Sequence, residues 1–135
     1  MKIVITYKQT WVEEEELKHN LSFLRKTLEE LWHETFIYFL DDNSEKTASY
    51  ITQKVKEEIE KANVVLCFIN HKEKSEGMLL ELGEAYAMWK EIILLVNSKY
   101  RGEYYLSYSI AKYIQYFDEV EDSEKWLKAL FTPKN

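Results

Sequence analysis

Residues 75 to 85 read Ser-Glu-Gly-Met-Leu-Leu-Glu-Leu-Gly-Glu-Ala, and two of the chain's three glycines fall inside this stretch. Ser75 is a helix N-cap by type, and its hydroxyl can also contact an anion. Gly77 lets a ligand approach the main chain closely. Gly77 and Met78 stand in a first helical turn, whose unpaired N–H groups favour negative charge. Glu81 comes one turn after Gly77, so a carboxylate shares the face of that anion cradle. Gly83 would let the helix pack tightly on a sheet. The same residues also describe a capped surface helix with a solvated carboxylate, because capping is routine and Glu is mostly exposed.

A helix N-terminus that presents such groups needs a strand before it and a sheet beneath it. Asn63 to Asn70 (NVVLCFIN) and Glu91 to Asn97 (EIILLVN) are nearly continuous apolar runs, as suits parallel strands covered on both faces. Lys2 to Tyr7 reads as a first strand, Phe36 to Leu40 as a second and Tyr113 to Phe117 as a fifth. Between them, Leu17, Leu21, Leu24, Leu28 and Leu31 line one face of a long helix. The polar loop Asp41 to Ser44 precedes a helix carrying Ile51, Val55 and Ile59. Helices are also expected over Ser75 to Met88, over the Tyr-rich segment from Tyr104, and over Asp122 to Leu130. Alternating strands and helices predict an α/β fold: a three-layer, flavodoxin-like or Rossmann-like sandwich on a five-stranded parallel sheet, order 2-1-3-4-5. Ligands in such folds bind beyond the carboxyl ends of the strands. The segments to search are therefore 7–12, 70–81 and 97–107.

Composition narrows the function classes. A chain of 135 residues, 46% hydrophobic and 31% charged, makes one domain over 1–135. Its net charge of −6 makes duplex nucleic acid or an anionic membrane a poor partner. The single cysteine, Cys67, excludes a disulfide scaffold and a cysteine zinc site, and it reads as a small buried hydrophobe. His19, His33 and His71 lack ligand spacing, so no metal is expected. No apolar run reaches the roughly 18 residues of a membrane span, and the first residues enter a strand directly. A cytoplasmic protein is the expectation.

The run Ser75 to Ala85, behind Ala62-Asn63-Val64-Val65-Leu66, resembles the signature of the nucleoside 2-deoxyribosyltransferase family. That family includes N-glycosidases of deoxynucleoside 5′-monophosphates. There a small-Asp pair and a strand lead to a glycine, three residues, and then Glu-Leu-Gly. The resemblance implies that Glu81 is the nucleophile, attacking the anomeric carbon to give a covalent glycosyl intermediate. A positive helix N-terminus would keep that carboxylate ionised. It further implies that Ser75 contacts a 5′-phosphate and that Ser107, behind Leu106, enters the site of a neighbouring subunit. Tyr7, ending the first strand, would stack on a base or line the sugar pocket. Lys8, Lys72, Lys74 and Arg101 lie on the expected ligand side and would offset a phosphate. Neither cofactor nor metal is implied.

This chain departs from the family at three places. Tyr7 and Lys8 replace a glycine loop, Ala62-Asn63 replaces the small-Asp pair, and Val55 replaces an aspartate that handles the leaving base. Asp41, Asp42 and Glu84 are the candidates for that missing carboxylate. The small-molecule partner is then a nucleoside or nucleotide. The alternatives are a nucleotide-binding or signalling module without catalysis and a plain interaction domain. Tyr100, Tyr104, Tyr105, Tyr108 and Tyr113 suggest a pocket wall or the contact of a homodimer or higher homo-oligomer.

Overall fold

Strands that are apolar at every position require cover on both faces, and the helices supply it in two layers. The computed structural model describes residues 1–42 and 46–133. Its strands are β1 (Lys2–Tyr7), β2 (Glu34–Phe36), β3 (Val64–Ile69), β4 (Glu91–Asn97) and β5 (Tyr113–Phe117). All neighbours pair in parallel, in the order β2-β1-β3-β4-β5 expected from sequence. The helices are α1 (Glu14–Glu29), α2 (Tyr38–Asp41), α3 (Ala48–Lys61), α4 (Glu76–Ala87), α5 (Tyr105–Ser109) and α6 (Glu124–Phe131). The leucines of α1, with Leu127 and Phe131 of α6, pack on Ile3, Ile5, Leu66 and Leu95. On the other face, Val55 and Ile59 of α3 and Met78, Leu82 and Ala85 of α4 pack on Val4, Val65, Cys67 and Leu94. Asn63, in the place of the acidic member of the pair, accepts the Lys2 N–H at 2.9 Å and fixes the start of β1 beside β3.

Five expectations are corrected. The second strand is Glu34–Phe36, not Phe36 to Leu40. Beyond Phe36 the Asp41 carboxylate accepts the Ile37 N–H and the Tyr7 hydroxyl accepts the Phe39 N–H, which turns residues 38–41 into a helical turn. Apolar character alone did not distinguish that turn from a strand. Of the polar loop, Asp41 ends α2 and Asp42 caps it, while Asn43 and Ser44 lie outside the described residues. The Tyr-rich helix is only Tyr105–Ser109, and the last helix begins at Glu124 after a 3-10 turn over Val120–Ser123. Gly83 faces outward, with no atom within 4 Å of an added Cβ, so it plays no part in packing α4 on the sheet.

With so few glycines, helix ends fall to other residues. Trp32 and Trp89 follow α1 and α4 at φ 69° and 62°. Each sits in a closing turn whose next residue donates back five positions, His33 to the Leu28 carbonyl and Lys90 to the Ala85 carbonyl. Glycine usually fills that site because a Cβ is strained there. Trp89 is 93% exposed, so it recovers little by packing. Trp89→Gly should therefore raise stability by up to about 1 kcal/mol, a rise of a few degrees in thermal midpoint. A lower midpoint would show that the indole makes a stabilising contact.

Candidate active site

Order reverses between β1 and β3, and the chain leaves these two strands toward opposite faces. A gap opens there, as parallel sheets of this order require. It is a pocket of about 230 Å³, lined by Val4, Ile5 and Tyr7 of β1, Gln9 and Thr10 beyond it, and Phe36 and Tyr38. Ile51 and Val55 of α3 and Ser75, Gly77, Met78 and Glu81 complete the wall. Two of the three expected segments thus meet, and 97–107 does not join them.

Ser75 caps α4, its Oγ accepting the Met78 N–H at 3.2 Å, and its own O–H is left to donate. That bond occupies Met78, whose buried side chain rather than its N–H faces the pocket. The N–H groups of Glu76 and Gly77 have no partner among the described residues. A Cβ on Gly77 would meet only the Ser75 hydroxyl, at 4.0 Å, so its outer side is open to a ligand. Glu81, one turn on, points back across the gap to β1, where Thr6 donates a hydrogen bond to Oε1. Thr6 was not singled out in the sequence. The available signal was one hydroxyl within the apolar run Ile3-Val4-Ile5-Thr6, on the face shared with Val4.

Burial pushes the Glu81 carboxyl up to about 7, the Thr6 bond draws it down, and the neighbouring Glu84 charge pushes it up. The expectation of a carboxylate kept ionised by the helix N-terminus is therefore corrected. Glu81 lies in the second turn, beyond the dipole's short reach, and desolvation outweighs it. Tyr7 lines the pocket, its hydroxyl engaged by the Phe39 N–H at 2.6 Å and its phenol held protonated by burial.

The other candidates are elsewhere. Ser107 is buried within its own chain in α5 and is absent from this pocket. None of Lys8, Lys72, Lys74 and Arg101 lines it. Lys74 and Arg101 lie instead over the rings of Tyr104 and Tyr116, at 5.8 and 4.0 Å. Asp41 pairs with Arg25, and Asp42 accepts the Tyr50 hydroxyl at 2.7 Å. Glu84 lies outside the lining, with Oε2 shut from solvent and without a hydrogen-bond partner among the described residues. Val55 remains apolar wall, so Glu81 is the sole carboxylate in the described lining. Tyr38 was also missed; its hydroxyl is buried and has no partner among the described residues. His33 is structural, bonding the Phe131 carbonyl at 2.6 Å, and Cys67 is fully buried in β3.

No protein-family model and no curated protein matches the sequence. Solved structures do match. The CMP N-glycosidase BcmB of Clostridium botulinum superposes with TM-score 0.75 at 20% identity, over 96% of this chain and 99% of that one. A 2-deoxyribosyltransferase from Bacillus psychrosaccharolyticus gives 0.71 at 22% identity, over 99% and 98%. That from Leishmania mexicana gives 0.60 at 18%, over 72% and 65%. This chain has their fold. The match runs nearly end to end in the first two, so β1, α4 and the gap between them belong to the shared architecture.

The Glu81 environment carries a stability consequence. Between about pH 4.5 and 7 the folded chain holds a proton that an unfolded glutamate has released, so stability falls as pH rises through that window. Glu81→Gln should remove this slope. Denaturant midpoints at pH 5 and pH 8 should differ less in the variant, by up to about 3 kcal/mol in the derived free energies. Parallel pH profiles for the two proteins would mean that Glu81 is charged and solvated.

Proposed function

We propose that this chain cleaves, or transfers at, the N-glycosidic bond of a 2′-deoxynucleoside or its 5′-monophosphate, with Glu81 as nucleophile. The observation that carries this reading is the one carboxylate in the described lining of the switch-point pocket, held from β1 by Thr6 and flanked by an open helix N-terminus. The enzyme names of the fold's matches agree with it.

In the proposed reaction a Glu81 carboxylate oxygen bonds to C1′ as the bond from C1′ to the base nitrogen breaks. Water or a second base then attacks C1′ and frees the carboxylate. Thr6 holds the attacking group and favours its ionised form. The apolar side of the pocket, Phe36, Ile51 and Val55, accepts the base. A 5′-phosphate lies against the Ser75 hydroxyl and the N–H groups of Glu76 and Gly77, an anion site built without a cation in the described lining. Val55 cannot protonate the leaving base, and the unengaged hydroxyl of Tyr38 is the group we assign to that proton. No step uses a metal or cofactor. Val55 is also the observation that favours a second reading, a nucleotide-binding module that has lost turnover.

Incubation with deoxynucleosides and their monophosphates, with chromatography of released base, tests the reading. Turnover should vanish in Glu81→Gln while the thermal midpoint is kept, since Gln is nearly isosteric. Ser75→Ala should weaken monophosphates relative to nucleosides by about 1–2 kcal/mol, one hydrogen bond to a charged group. Full activity in Glu81→Gln would remove the nucleophile. A wild type that releases no base, yet is stabilised by a nucleotide, would establish the binding module.

We also propose a homodimer. Tyr104 is buried and so no contact residue, but Tyr105 and Leu106 beside it are 80% and 75% exposed, and Leu80 and Tyr86 stand out from α4. Sedimentation at micromolar concentration should give twice the chain mass. A monomer there would place these side chains in solvent.

A further inference from the structure

A second cleft, of about 390 Å³, opens at the carboxyl ends of β3, β4 and β5 on the α1 side of the sheet. Its lining is predominantly polar and belongs to none of the chemistry assigned above. Asn20 of α1 forms part of the wall. The residue is only 9% exposed, its amide has no hydrogen-bond partner among the described residues, and the amide atoms themselves are open to the cleft rather than sealed from solvent. An amide that faces a cleft without a protein partner is free to be met there by a ligand or by water.

Two further asparagines are aligned beside it. The Asn97 oxygen accepts the Lys99 N–H at 3.0 Å, which fixes the amide so that Nδ2 donates to the Asn70 oxygen at 2.9 Å. The Nδ2 of Asn70 is thereby left free to donate, and Asn70 also lines the cleft. Acceptors are supplied by the carboxylates of Asp118 and Glu16, and Tyr100 adds a half-buried aromatic ring.

The charge balance selects the ligand. Glu16, Asp118 and Glu119 stand against Lys99 alone, with His19 committed to Glu121 at 2.7 Å. A phosphate or carboxylate would meet net repulsion, and a hydrophobic ligand would strand the amides. Amides that donate, carboxylates that accept and one ring face match adjacent hydroxyls on a ring with an apolar side. We propose that this cleft binds an unphosphorylated sugar ring, either a free monosaccharide or the sugar of a larger molecule. The proposal is independent of the reaction assigned to Glu81.

Saturation-transfer NMR with D-ribose, D-glucose, a nucleoside and D-ribose 5-phosphate tests it. At least one neutral sugar should bind saturably, with a dissociation constant on the order of millimolar, as few contacts in an open cleft allow. The phosphate should bind more weakly than ribose in the Glu81→Gln background, which leaves the cleft intact. Asn20→Leu should weaken the sugar about tenfold, the loss of one or two hydrogen bonds. Should Asn20→Leu fail to fold, Tyr100→Ala must show the same loss of binding. A free sugar that binds alone marks the cleft as a monosaccharide site, and a nucleoside that binds as well marks the sugar as part of a larger ligand. Absence of saturable binding by every neutral sugar would overturn the proposal. So would tighter binding of the phosphate, unchanged affinity in Asn20→Leu, or sugar binding that disappears in Glu81→Gln.

Discussion

The hydrogen bond from Thr6 to Glu81 is the contact on which the candidate site depends. It spans the gap between β1 and α4, two elements that no sheet ladder joins. A carboxylate in an apolar wall has to choose between protonation and a donor, and among the described residues the wall offers it one, Thr6. Thr6 reaches it because β1 pairs with β3 in a register that sets Thr6 opposite Cys67. That register rests in turn on the Asn63 amide at the start of β1. Sheet register, strand face and carboxylate position are therefore one constraint.

The same burial explains why one carboxylate suffices to shape the electrostatics of the pocket. With Val55 in the wall, the described lining holds no second acid, and the carboxyl titrates near neutrality chiefly because it is desolvated, with the Glu84 charge adding to the rise. A second carboxylate in this small volume would push it higher still, since like charges at short range disfavour joint ionisation. The chain has instead surrounded the Glu81 carboxyl with hydroxyls: Thr6 in contact, Tyr38 and Tyr7 in the wall, Ser75 at the helix start.

Continuous apolar runs made the sheet legible in sequence. β1, β4 and β5 fall on the residues their composition indicates, and α4 begins where Ser75 caps it. Elements set by side-chain hydrogen bonds to the main chain were not legible. Nothing local in Phe36 to Leu40 announces that Asp41 and Tyr7 will pull it out of the sheet. Gly83 misled because a glycine in a helix suggests close packing, whereas which side it faces depends on where Met78 and Leu82 are buried. The site was half legible. Ser75, Gly77 and Glu81 are local to one helix, but Thr6, Phe36, Tyr38 and Ile51 reach the pocket only through sheet order.

The loop between β3 and α4 ties the two clefts together. Asn70 lines the polar cleft at one end of it, and Ser75 lines the Glu81 pocket at the other. Between them the buried Tyr104 hydroxyl donates to the carbonyls of His71 and Glu73, at 3.0 and 3.4 Å. A loop of this length has few ways to move its two ends independently once its middle is clamped. Its main-chain path is set from β4 and α5, through Asn97 and Tyr104, rather than by its own sequence. That is why a chain whose specific sequence signature lies in Ser75–Ala85 still needs its Tyr-rich segment: it fixes the approach to the helix that carries Glu81.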